Sequence, residues 1–201
     1  MGHPRTRVLV IFLALTFAIL PAVAGAHEPQ PLPMERREAR IPINDFAATD
    51  QSGRRFEFKS LRGRVVVVAF AYTSCPDVCP LITAAARQVQ IGLSSAEHRH
   101  VQLLTVTTDP EIDSPRILAA YAARYKADLD NWLFLTGSEA ELGKVWKNFG
   151  VGVKHKARGL VDHTPLTAII DRNGYLRVAY VGASPDPKRV LGDLRRLLSE
   201  R

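Results

Sequence analysis

From residue 65 to residue 72 every position is apolar, with four valines in succession, and this pattern predicts a strand buried on both faces. Such a strand belongs in the middle of a sheet. Residues 101–107 form a second β-rich run, residues 115–126 read as a helix, and residues 132–135 are a short apolar segment. Ser138 followed by Glu141 is a capping box that opens a further helix reaching about Phe149. Residues 167–170 and 175–181 flank the turn Asp171-Arg172-Asn173-Gly174 and predict a late hairpin. Residues 187–198 close the chain as a helix with Val190, Leu194, Leu197 and Leu198 on one face. Upstream, two extended runs around residues 50–53 predict an N-terminal β-hairpin over residues 46–58. Strands alternating with helices imply an α/β fold whose parallel strands are joined by right-handed crossovers. No internal repeat is visible.

The first 26 residues follow a different pattern. Arg5 and Arg7 precede an apolar run over residues 8–20, which Pro21 ends, and Ala24-Gly25-Ala26 follows. A basic head, a short apolar middle and a small-x-small exit predict a signal peptide at residues 1–26, cleaved after Ala26. The run is shorter than the ~20 residues a membrane-spanning helix needs, although an uncleaved anchor is the competing reading. The expected compartment is therefore outside the cytoplasmic membrane, in the periplasm. Residues 27–43, rich in proline and charge, read as an extended linker, which leaves residues 44–201 as one domain. The formal charge of the whole chain is +7. Losing Arg5 and Arg7 leaves it basic, but the cations are scattered and the chain is exported, so nucleic acid is not the expected partner.

The chain has two cysteines, Cys75 and Cys79, directly after the all-apolar run and each followed by a proline. A residue before proline is pushed towards extended geometry, so the pair is expected in a loop, with Pro80 opening a helix over residues 81–93. Cys79 would then be the N-cap. The positive end of the helix dipole favours thiolate there, which makes the pair reactive or metal-binding. In an exported chain two cysteines fit either a disulfide or a metal pair. Their spacing allows a bridge when they are oxidised.

The segment Tyr72-Thr73-Ser74-Cys75-Pro76-Asp77-Val78-Cys79-Pro80 is similar to the signature of the Sco/SenC family. Three further stretches resemble that family in the same order. They are Thr108-Asp109-Pro110-Glu111 with Asp113 and Pro115, then Trp132-Leu133-Phe134-Leu135-Thr136-Gly137, then Val161-Asp162-His163-Thr164. The resemblance implies a thioredoxin-like fold, a central mixed β-sheet flanked by helices. It implies Cys75, Cys79 and His163 as ligands of copper, Cu(I) or Cu(II), with Asp109 and Asp162 as candidates to steer or hydrogen-bond them. Thiolates suit Cu(I), and an imidazole suits Cu(II) as well. The remaining histidines, His3, His27, His98, His100 and His155, read as surface groups.

Members of the family deliver copper to the dinuclear copper site of cytochrome c oxidase. The implied function is a metallochaperone acting on the oxidase copper-site subunit or another periplasmic copper protein, without turnover of a small substrate. The alternative is a thiol-disulfide oxidoreductase that reduces the acceptor's cysteines. Three residues between the cysteines, instead of the two usual in thioredoxin-like enzymes, favour metal. The chain departs from its relatives at residues 150–160, a glycine-rich basic loop that bears on partner choice. Pro165 falls one residue short of the position where thioredoxins carry a cis-proline, and only ~5% of X–Pro bonds are cis, so no cis bond is assigned.

Overall fold

The computed structural model describes Gly2 and residues 34–156, 160–182 and 185–200. Apart from Gly2, the expected signal peptide lies outside the described residues. From residue 34 onward the described residues form one compact unit. Its strands are β1 (Glu35–Pro42), β2 (Ala47–Asp50), β3 (Arg55–Glu57), β4 (Val65–Ala71), β5 (Val101–Thr107), β6 (Trp132–Thr136), β7 (Val153–His155), β8 (Val161–His163), β9 (Leu166–Ile170) and β10 (Tyr175–Val181). Its helices are α1 (Val78–Ile91), the short α2 (Ser95–His98), α3 (Pro115–Arg124), α4 (Glu139–Phe149) and α5 (Pro187–Ser199), with a 3₁₀ turn at Phe58–Leu61.

Eight strands make a mixed sheet in the order β1-β10-β9-β4-β5-β6-β2-β3. The run β4-β5-β6 is parallel, and β9 lies antiparallel on the other side of β4. All seven residues of β4 are buried, as expected of a central strand. Strand periodicity splits them between two cores. Val66, Val68 and Phe70 pack with Leu104, Trp146 and Phe149 on one face. Val65 and Val67 pack with Val89, Leu118, Leu194 and Leu197 on the other. Helices therefore cover both faces, and the loop at the carboxyl end of β4 emerges from a fixed position.

Two expectations about the backbone need correction. The linker expected over residues 27–43 is, from Glu35 to Pro42, an edge strand antiparallel to β10. Its side chains gave no apolar signal because an edge strand can be held by backbone pairing and by a few polar anchors. Arg36 supplies one of them, reaching both carboxylate oxygens of Asp193 at 2.8 and 2.7 Å. The other correction concerns the first helix, which starts at Val78 with Asp77 as N-cap, two residues before the expected cap Cys79. Pro80 thus lies in the first turn, where the N–H groups have no intrahelical partner and a proline loses nothing. Cys79 is inside the helix.

The glycine-rich loop expected at residues 150–160 also contains structure. Gly150 ends α4 with a left-handed φ of 67°. The chain then enters β7, which pairs with β8 as a separate two-stranded ribbon. Among the described residues there is no cis peptide bond, so the bond before Pro165 is trans.

Candidate metal centre

Three elements converge at the carboxyl end of β4. The loop after β4 carries Cys75, the first turn of α1 carries Cys79, and β8 carries His163. Asp113, from the segment between β5 and α3, fixes the first of these. It accepts hydrogen bonds from the Thr73 N–H at 3.1 Å and from the hydroxyls of Thr73 and Thr107. Asp113 is fully buried, and that burial pushes its pKa up against the pull of its three donors. Sequence reasoning placed Asp113 in a motif and gave it no role; a carboxylate between two threonine-bearing strand ends was the available signal.

Both cysteines are free thiols, Cys75 part-exposed and Cys79 buried. They pack in one small cluster, and the two sulfurs respond in opposite directions. Cys75 is drawn down to about 5, first by the Cys79 thiol and then by the backbone N–H groups of Asp77 and Cys79 and the Tyr72 hydroxyl. Cys79 is driven up by the Cys75 sulfur and by burial. The N-terminus of α1 does host a thiolate, but it belongs to Cys75 and not to the expected Cys79. Two like charges in contact do not both form, and the sulfur with the backbone donors takes the charge.

His163 has a defined tautomer. Its Nδ1 lies 3.2 Å from the Thr164 carbonyl oxygen, which can only accept, so Nδ1 carries the proton. The Nε2 lone pair then faces the Cys79 sulfur at 3.5 Å. Burial lowers the imidazole pKa below 6.5 and favours the neutral, ligating form. Tyr72 stands between the pieces. Its hydroxyl accepts from the Val161 N–H at 3.3 Å, its ring meets His163 edge-on at 6.0 Å, and its hydroxyl helps to draw the Cys75 pKa down. Tyr72 thus touches both the cysteine side and the histidine side of the centre.

Cys75, Pro76, Val78, Leu160, Val161 and His163 line a cleft of about 390 Å³. A more open groove of about 730 Å³ runs on the other side of His163. Among the described residues neither aspartate hydrogen-bonds a candidate ligand, although Asp162 borders both openings beside His163. Asp162 is exposed on the outer face of the ribbon and pairs with the Lys156 ammonium. Asp109 is buried and faces His155 at 3.9 Å. Among the described residues no three His, Cys, Asp or Glu side chains form a preassembled cage. What stands ready is a thiolate, a neighbouring thiol and a lone-pair nitrogen, donors that match a soft or borderline cation.

A central buried strand handing a cysteine pair to a helix N-terminus, with an antiparallel hairpin and a helix closing the chain, defines a thioredoxin-like protein. Its solved neighbours have the same fold. The chain belongs to the SCO1/SenC family, whose profile matches residues 34–199 and so includes the edge strand β1. A SCO1/SenC family lipoprotein from Bacillus anthracis is 31% identical, with 81% of this chain and 98% of that one covered and a TM-score of 0.75. BsSco, described as a member of the Sco family of cytochrome c oxidase assembly proteins with a disulfide switch, is 28% identical over 82% and 98%, with a TM-score of 0.71. ScoI of Bradyrhizobium japonicum, solved with copper bound, is 29% identical over 78% and 99%, with a TM-score of 0.64. Among the described residues no helix is long and apolar enough to cross a membrane.

Proposed function

We propose that this chain is a copper metallochaperone that carries one copper ion on Cys75, Cys79 and His163 and passes it to the dinuclear copper site of cytochrome c oxidase. The observation that carries this reading is the aim of the His163 Nε2 lone pair at the Cys79 sulfur, with Nδ1 tied down by Thr164. A histidine needed only for packing would have no reason to turn its free nitrogen towards a thiol. A partner on the second ring nitrogen is the usual way a protein orients a ligating imidazole. Copper is the cargo. It displaces the Cys79 proton on arrival, and the Cys75 thiolate is already deprotonated. The cleft leaves Cys75 open on one side, so an acceptor's own ligand can enter there and exchange. Copper-bound ScoI and the oxidase-assembly role stated for BsSco support the choice of cargo and acceptor. Export by residues 1–26 and residence in the periplasm or on its membrane belong to the same proposal.

One observation favours a second reading. A part-exposed thiolate at Cys75 backed by a buried thiol at Cys79 is also the arrangement of an attacking and a resolving cysteine. As a reductase the chain would attack an acceptor disulfide through Cys75. Cys79 would then release the mixed disulfide, leaving the acceptor reduced and this pair bridged. An anaerobic copper titration run beside a disulfide-reduction assay separates the two. The chaperone reading expects one tightly held copper per reduced chain, none in the bridged form, and slow disulfide reduction. Tight binding to the bridged form contradicts it.

A further inference from the structure

The ribbon presents a second imidazole on the same face as His163. In its register His155 pairs with Val161 and Val153 pairs with His163, so these four residues point to one side and Lys154 and Asp162 to the other. The inner side is the one whose valines pack against Cys75 and Cys79. His155 is 39% exposed at the rim, and its Nε2 lies 3.9 Å from Oδ1 of Asp109. Asp109 is an unusual carboxylate. Its side chain is only 4% exposed, and among the described residues no side chain donates a hydrogen bond to it. Burial raises its pKa, the negative charge of Asp113 and Glu111 adds to that, and His155 and the backbone N–H of Ile112 pull the other way. The hydroxyl of the adjacent Thr108 is buried without a partner. On the same ribbon the Lys156 ammonium is engaged by Asp162.

A buried, underbonded carboxylate with like charges around it and a lone imidazole in front of it is an environment that a cation completes. We propose that His155 and Asp109 form a second metal site, separate from the thiols, for a divalent transition cation of the Cu(II) or Zn(II) class. One nitrogen and one carboxylate oxygen are harder donors than the cysteine pair and suit the divalent ions, not Cu(I). The geometry is close to what such an ion needs. Bonds of roughly 2.0–2.2 Å at a tetrahedral angle set the two donor atoms about 3.4 Å apart, so closure takes a movement of about half an ångström. The open rim leaves the remaining coordination positions to water. The site goes beyond the proposed function and does not depend on it, since neither residue belongs to the cysteine-histidine set.

The test removes the thiols first. In a Cys75→Ser, Cys79→Ser double variant, checked by circular dichroism to be folded, Cu(II) and Zn(II) are titrated by calorimetry, and the Cu(II) form is examined by electron paramagnetic resonance. The expected result is one divalent ion per chain with nitrogen and oxygen donors. Adding His155→Ala, or separately Asp109→Asn, weakens it about tenfold or more, whereas adding His163→Ala changes it less than about threefold. Binding that survives both His155→Ala and Asp109→Asn overturns the site, as does a double variant that takes up no divalent ion. Neither failure touches the three-ligand reading, whose own failure shows in the protein with its thiols intact.

Discussion

The cysteine side of the centre and the histidine side are built in opposite ways. Cys75 and Cys79 hang from β4, whose seven residues are all buried, and from α1, which packs Ile82, Ala85 and Val89 into the interior. Asp113 ties the loop between them to the neighbouring strand through three hydrogen bonds. His163 arrives on a ribbon of two three-residue strands, each with exposed positions and neither part of the main sheet. What holds the ribbon over the cysteines is Val161 in a small apolar cluster and the Tyr72 hydroxyl. The thiols are thus stationed by the core of the fold, and the imidazole by a few contacts at the rim. A site of this kind has a fixed soft half and an adjustable nitrogen half.

Substitutions in both halves and a change of pH sharpen that contrast, and the largest effect belongs to the fixed half. Cys75→Ser and Cys79→Ser should each lower Cu(I) affinity on the order of a thousandfold, because a hydroxyl is a poor ligand for a soft ion. Anaerobic competition against a Cu(I) chelator measures this, and a loss below tenfold would place Cu(I) elsewhere. Asp113→Ala strands the Thr73 N–H and two hydroxyls and should cost on the order of 3 kcal/mol in urea unfolding. A cost near zero would mean that the cysteine loop is not anchored as described.

Tyr72→Phe removes one acceptor from the ribbon and should cost about 1 kcal/mol. It should also raise the alkylation midpoint of Cys75 from about 5, which a pH series with a thiol reagent reads. The smallest effect is pH-linked. Because burial depresses the His163 pKa, the unfolded chain takes up a proton below pH 6.5 that the native chain refuses. Native stability should fall as pH drops through 6.5 and level off below the native value. His163→Gln should remove that slope, seen by comparing urea midpoints at neutral and mildly acid pH.

The same contrast decides what could be read from the sequence. The core was legible because burial leaves a pattern: the valine run became β4, Ser138 and Glu141 capped α4, and the late hairpin fell around Asn173-Gly174. The β1 edge was not legible, because five of its eight residues are charged and it is held by backbone pairing and the Arg36–Asp193 fork. The ribbon escaped for a related reason: strands as short as β7 and β8 carry too few alternations to signal a period. At the site, the residue types and the helix end were recognisable. The assignment of the thiolate was not, since it rests on which sulfur meets the N–H groups of Asp77 and Cys79. Asp113 and Tyr72 act through contacts distant in sequence, which no local pattern records.

The central claim is that the ribbon completes a copper site begun by the fixed thiols, and His163→Ala tests it most directly. Cu(I) and Cu(II) affinities are measured for the reduced variant and the parent protein under anaerobic conditions. The account predicts that Cu(II) binding falls roughly a hundredfold while Cu(I) binding changes by less than about tenfold, because two thiolates satisfy Cu(I) and only the imidazole supplies nitrogen to Cu(II). Unchanged affinity for both ions, together with a loss of disulfide reduction, would contradict it and make His163 a proton-transfer group of a reductase.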